Sequence, residues 1–84
     1  MPVEVRCAAE GDGYLCAVTV SDGRSTEHSV RVRRADLDRW GRGRTAEELV
    51  ADSFAFLLER ESKESILREF DLSSIKRYFP EYDG

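Results

Sequence analysis

Residues 3–32 read VEVRCAAEGDGYLCAVTVSDGRSTEHSVRV, and this stretch decides the fold. Val3, Val5, Cys7 and Ala9 alternate with Glu4, Arg6, Ala8 and Glu10, the period of two expected of a half-buried strand. After GDG, Tyr14, Cys16, Val18 and Val20 alternate in the same way. After SDG, Thr26, His28, Val30 and Val32 share one face of a third run. The pattern predicts a three-stranded antiparallel meander over residues 1–34. A two-residue Asp12-Gly13 turn pairs Cys7 with Val18 and Ala9 with Cys16. A three-residue Ser21-Asp22-Gly23 loop then pairs Val18 with Thr26 and Cys16 with His28.

One apolar sheet face needs a cover. Asp36 to Trp40 reads as a single helical turn ended by Gly41, and Thr45-Ala46-Glu47-Glu48 has the form of a capping box that opens the main helix, placed over residues 45–61. Ala46, Leu49, Val50, Ser53, Phe54 and Leu57 make its sheet-facing stripe, with Phe56 and Leu58 on the margins. So wide an apolar arc calls for a second contact. The unassigned apolar material lies in residues 62–84, read as two short helices: Ser62 caps a turn running to Phe70, and Asp71 or Ser73 caps another that Pro80 ends. The fold class is α+β in the order βββααα, a single domain.

The composition, 40% apolar and 36% charged, is that of a folded, soluble chain. No apolar run approaches the roughly eighteen residues of a membrane span, and MPVEVRCAAEG lacks the layout of a signal peptide, so a cytoplasmic location is expected, with no membrane partner. Two cysteines without CxxC spacing are read as reduced thiols packed as small apolar side chains.

The net charge of −4 is unevenly placed. Arg31, Arg33, Arg34, Arg39, Arg42 and Arg44 flank Trp40 and two glycines between acidic segments. Arginine forks match phosphates and an aromatic ring can stack on a base, which makes this segment the candidate for nucleic acid or an acidic partner. The low pI, near 5.0, argues instead that these arginines are solvated or pair with the acids of the main helix. Cys7, Cys16 and His28 fall on one sheet face, but a structural zinc site wants four ligands and the sequence offers no fourth, so no metal or cofactor is assigned. GDG and GRG are too short for phosphate loops, and no base-activated nucleophile is recognisable, so no catalytic residue is assigned.

Two resemblances add to this. ESILREFDLSSIKRYFPEY, preceded by FAFLLERESK, resembles the ending of a small uncharacterised bacterial protein family in which a helix and an RYFPEY tail follow a short meander; it implies the arrangement of elements and no activity. GDGYLCAVTV followed by TAEELVADSFAFLLE is similar in layout to HicB-like antitoxin domains, although no strand is read after the helix and no DNA-binding extension follows. The expected function is a small non-catalytic interaction or regulatory module with a protein partner, or self-association through an exposed sheet edge. An antitoxin-like or nucleic-acid-associated regulator using Arg31–Arg44 comes second and a small enzyme third. The expected partner surface is Arg33, Arg34, Arg39, Trp40, Arg42 and Arg44, together with Tyr78, Phe79, Pro80 and Tyr82 of the tail.

Overall fold

The computed structural model describes residues 2–84. β1 (Val3–Glu10), β2 (Gly13–Asp22) and β3 (Arg24–Val32) form the predicted meander, and α1 (Arg34–Trp40) and α2 (Ala46–Leu58) follow. The tail departs from the expected pair of helices. A short 3₁₀ turn at Lys63–Ser65 leads to a strand, β4 (Glu69–Asp71), and then to α3 (Ser74–Tyr78). β4 lies parallel to β3, pairing Val30 with Phe70, so the sheet is four-stranded and mixed in the order β1-β2-β3-β4. A strand therefore does follow the main helix. Parallel pairing needs a long crossover, and residues 33–68, with α1 and α2, supply it.

Both hairpin registers differ from the expected ones by two residues. The first turn is Gly11-Asp12: Glu10 pairs with Gly13 and Cys7 with Cys16. Gly11 has φ +62 and Asp12 stays at negative φ, as a glycine-led type II′ turn requires. In the second hairpin Asp22 pairs with Arg24 around Gly23 at φ +75, so Val18 faces His28 and Cys16 faces Val30. A shift of two keeps every side chain on its face, so hydrophobic alternation is satisfied by either register. The tighter loop adds the pairs Ser21–Ser25 and Asp22–Arg24 to the ladder.

Cys7 and Cys16, opposite one another, are joined by a disulfide. The expectation of two free thiols is thus corrected, and its cause is the register, which set Cys16 beside a different neighbour. Disulfides persist in oxidising surroundings, so the cysteines cease to support a cytoplasmic location. No helix among the described residues is long and apolar enough to cross a membrane.

The capping box at Thr45 forms as read: Thr45 Oγ1 accepts from the Glu48 amide at 3.1 Å and Glu48 Oε1 accepts from the Thr45 amide at 2.8 Å. All six residues of the predicted stripe are buried. α2 ends at Leu58, short of residue 61, where the Arg60 and Glu61 amides close the last turn on the Leu57 carbonyl. α1 begins two residues earlier than expected and ends before Gly41, where any side chain would collide with the Leu37 carbonyl. The core gathers Val18, Val20, Val30 and Val32 from the sheet, Trp40 from α1, Leu49, Val50 and Phe54 from α2, and Leu72, Ile75 and Tyr82 from the tail. Burying each large side chain contributes about 1.5–3 kcal/mol. The tail is therefore part of the fold.

Candidate functional site

The arginine segment is bound up with the molecule's own acids. Arg31 reaches Glu10 at 2.8 Å, Arg33 reaches Asp71 at 3.4 Å and Arg34 reaches Asp38 at 3.4 Å. Arg42 holds Asp83 at 2.8 Å and Arg44 holds Asp52 at 2.7 Å. Only the last partner lies on the acidic helix to which the sequence assigned them. Arg44 also donates to the carbonyls of Trp40, Gly41 and Gly84, which makes it a strut between α1 and the end of the chain. Arg42 has a left-handed backbone at φ +51 and Gly43 follows at φ +83, turning the chain from α1 into α2. Arg39 stacks on Trp40, its guanidinium carbon 4.6 Å from the ring centre. Trp40 itself is 2% exposed and lies edge-on to Tyr82 at 5.1 Å. It presents no free face on which a base could stack.

Among the tail aromatics, the structure separates what the sequence grouped together. Tyr82 is 1% exposed, packed against Trp40 and against Phe56 at 5.3 Å. Its hydroxyl lies 2.6 Å from Ser53 Oγ, which itself donates to the Leu49 carbonyl at 2.7 Å. The serine proton being so used, the tyrosine must be the donor of the pair. Burial pushes the Tyr82 hydroxyl above its ordinary pKa. Tyr82 is thus a core anchor and leaves the set of partner-binding candidates, as does Trp40. Phe79 is half-buried on Phe56 at 5.8 Å, and the Pro80 carbonyl accepts from Lys76 Nζ at 2.6 Å. Arg60 caps this cluster, stacking 3.7 Å over Phe56 and reaching Glu81 at 3.3 Å. Hydrogen bonds from its own backbone amide and from Arg60 hold the Glu81 carboxyl below the usual range.

Tyr78 differs from these. It is 68% exposed, and the other exposed large hydrophobic side chain among the described residues is Leu67, at 52%. Both line a cleft of about 300 Å³, backed by buried Leu57, Ile66 and Ile75 and flanked by half-buried Phe70 and Phe79. Glu61, Ser65 and Ser74 supply its polar lining. The cleft exists because β4 replaces the expected helix: as a strand, Phe70 turns inward to Phe54 at 6.1 Å while Ile66 enters the core, and Leu67 is left outside. A helix running to Phe70 would set Ile66, Leu67 and Phe70 on one side. A signal for the strand is present in the polar-apolar-polar alternation Glu69-Phe70-Asp71, too short to stand against the surrounding helical spacing.

No family model, curated protein or solved structure matches the chain. Its chemistry must therefore be read from geometry. Cys7 and Cys16 are bonded to each other, and His28 sits opposite Val18 instead of Cys16, so the three do not form the ligand set considered from the sequence. Among the described residues no group of three or more His, Cys, Asp or Glu side chains is placed to hold a metal ion. His28 is buried. Its Nδ1 lies 2.8 Å from the Leu67 carbonyl, an acceptor only, so Nδ1 carries a proton; Nε2 lies 2.9 Å from the Thr26 hydroxyl. The imidazole is a bracket between β3 and the segment entering β4, and it holds Leu67 where that side chain meets the cleft.

Proposed function

We infer that the protein is a small non-catalytic interaction module, and that the tail cleft receives a protein partner. The observation that carries this reading is the pairing of exposed Leu67 and Tyr78 beside a concave apolar surface. Single exposed apolar residues are ordinary, but two large ones sharing a cleft offer contiguous apolar area of the kind that anchors a partner's side chains. The one charged residue in the lining is Glu61. The fitting partner is a short amphipathic segment with apolar anchors and a basic side chain opposite Glu61. The chain's one histidine is engaged at both nitrogens and is not among the residues lining the cleft, which supports a binding role over base-assisted chemistry.

The test compares the immobilised protein with its Leu67→Ser/Tyr78→Ser variant. Both positions are exposed, so the variant should unfold at the same temperature as the parent. A stoichiometric protein retained by the parent and lost by the variant, with binding weakened again by Glu61→Lys, is the expected result. Equal capture by all forms refutes the cleft as the site.

A further inference from the structure

β1 is an outer strand of the sheet, paired on one side with β2. The phase of that pairing is fixed by the Ser21 amide, which donates to the Pro2 carbonyl at 3.1 Å. Pro2 is the next partner of Ser21 in the Val3–Val20 register, so the even-numbered residues of β1 turn their backbone groups toward β2. Val3, Val5 and Cys7 then point their N–H and C=O groups outward.

Edge strands of monomeric proteins are normally blunted by a bulge, a proline, an inward-pointing charge or a short length. β1 has none of these; what charge it carries is on its solvent face, Glu4, Arg6 and Glu10, alternating in sign. It runs eight residues, Val3–Glu10, each with a single partner, without proline, and its core-side residues Val3, Val5, Cys7 and Ala9 are uncharged. Val3, Val5 and Cys7 are also only half-buried, whereas their partners Val20, Val18 and Cys16 are at most 1% exposed. The apolar layer stops incomplete at this edge.

We propose that the protein self-associates as a twofold dimer, with β1 pairing antiparallel to β1 of a second copy, centred on Val5, so that the two sheets become one. This occupant is chosen by charge. With Val5 at the axis, Glu4 of each copy faces Arg6 of the other, Val5 meets its counterpart and Val3 meets the second copy's Cys7. An axis at Glu4 sets Glu4 against Glu4, one at Arg6 sets Arg6 against Arg6, and one at Cys7 sets Glu4 against Glu10; each brings like charges together. An axis at Ala8 faces Arg6 with Glu10, but Glu10 already holds Arg31 at 2.8 Å, and Val5 would fall opposite Gly11 in the turn. The Val5 register alone joins opposite charges that make no ion pair within the chain among the described residues.

Sedimentation and light scattering across a concentration series provide the readout. The parent should dimerise, and Glu4→Arg and Arg6→Glu should each raise the dissociation constant by roughly tenfold, because each turns two attractive cross-strand contacts into repulsive ones. Both positions lie on the solvent face of β1 opposite uncharged Thr19 and Ala17, so circular dichroism should show the parental fold. An equimolar mixture of the two single variants should dimerise again, since positions 4 and 6 are then both basic in one copy and both acidic in the other, and each cross-strand contact joins opposite charges. A parent that stays monomeric up to its solubility limit overturns the proposal. So does a dimer weakened by Arg6→Glu but not by Glu4→Arg, or a mixture that fails to reassociate.

Discussion

Tyr82 measures how far the tail belongs to the core. Truncating it to alanine empties a site enclosed by Trp40, Phe56 and Ser53, and large-to-small changes of buried aromatics cost about 3–5 kcal/mol. A chain of this size has a total stability of roughly 4–13 kcal/mol, so Tyr82→Ala should remove from about a quarter of it to all of it. Tyr82→Phe keeps the ring and removes only the donated hydrogen bond. Ser53 still donates to Leu49, so the cost should be about 0.5–1.5 kcal/mol. Ser53→Ala leaves a buried hydroxyl with nothing to bond and should cost about 1–3 kcal/mol. The double variant should be more stable than the sum of the two single losses implies, since the orphaned hydroxyl of Ser53→Ala is then gone. Thermal and urea unfolding followed by circular dichroism give these values, at about 4–8 °C per kcal/mol for a domain of this length. A Tyr82→Ala variant within about 0.5 kcal/mol of the parent, the range of ordinary surface changes, would refute the claim that the tail closes the core.

The same hydroxyl predicts a pH effect. Its folded pKa is raised above the ordinary value of 10.0 by burial, so the unfolded chain loses this proton first and stability falls as pH rises through 10 toward the folded value. Ultraviolet titration should show a tyrosine ionising above the ordinary value that is absent from Tyr82→Phe, and the same variant should flatten the alkaline loss. Reducing the Cys7–Cys16 disulfide, with its sequence separation of 9, should cost about 2.6 kcal/mol on the chain-entropy account; unfolding with and without reductant measures it, and no difference would mean that the bond is absent in solution. Gly13→Ala should cost about 1–3 kcal/mol, because the new Cβ would lie 2.5 Å from the Val32 carbonyl oxygen; denaturant unfolding checks it. Thr45→Ala should cost about 1 kcal/mol through loss of the cap, read as a fall in the same midpoint.

What was legible in the sequence is what local chemistry determines. The Thr45–Glu48 box and the stripe from Ala46 to Leu57 depend on residues within a few turns of each other, and both form as read. The strand faces were legible for the same reason. Their register was not, since sliding each hairpin by two residues leaves Cys7, Cys16, Val18 and His28 on the same side; glycine at positive-φ position 11 separates the options in the first hairpin, whereas Gly23 is left-handed in either loop of the second. That slide decides whether Cys16 meets Cys7 or Ala9, and so whether a disulfide can form. β4 was misread because Ile66, Leu67 and Phe70 satisfy helical spacing, while the edge of β3 that draws Phe70 into a strand lies far away in the chain. The candidate site inherits that error: Tyr82 and Trp40 proved internal, and Leu67 beside Tyr78 emerged only once the tail was bent around the sheet.

The contact between His28 and Leu67 joins residues 39 positions apart, and Tyr82 closes on Ser53 across 29. Hairpins between neighbouring strands form in about 1–10 μs, long before a ribosome adds its next residue at roughly 5–20 per second. The meander can thus take shape while the remainder is still being made. Phe54 and Phe56 must wait, their partners Phe70, Phe79 and Tyr82 lying further along the chain and emerging after them. For that interval the nascent chain carries an uncovered aromatic surface, a natural target for a chaperone, and a rare codon or a stall between the codons for Phe56 and Tyr82 would prolong the exposure where the fold can least tolerate it.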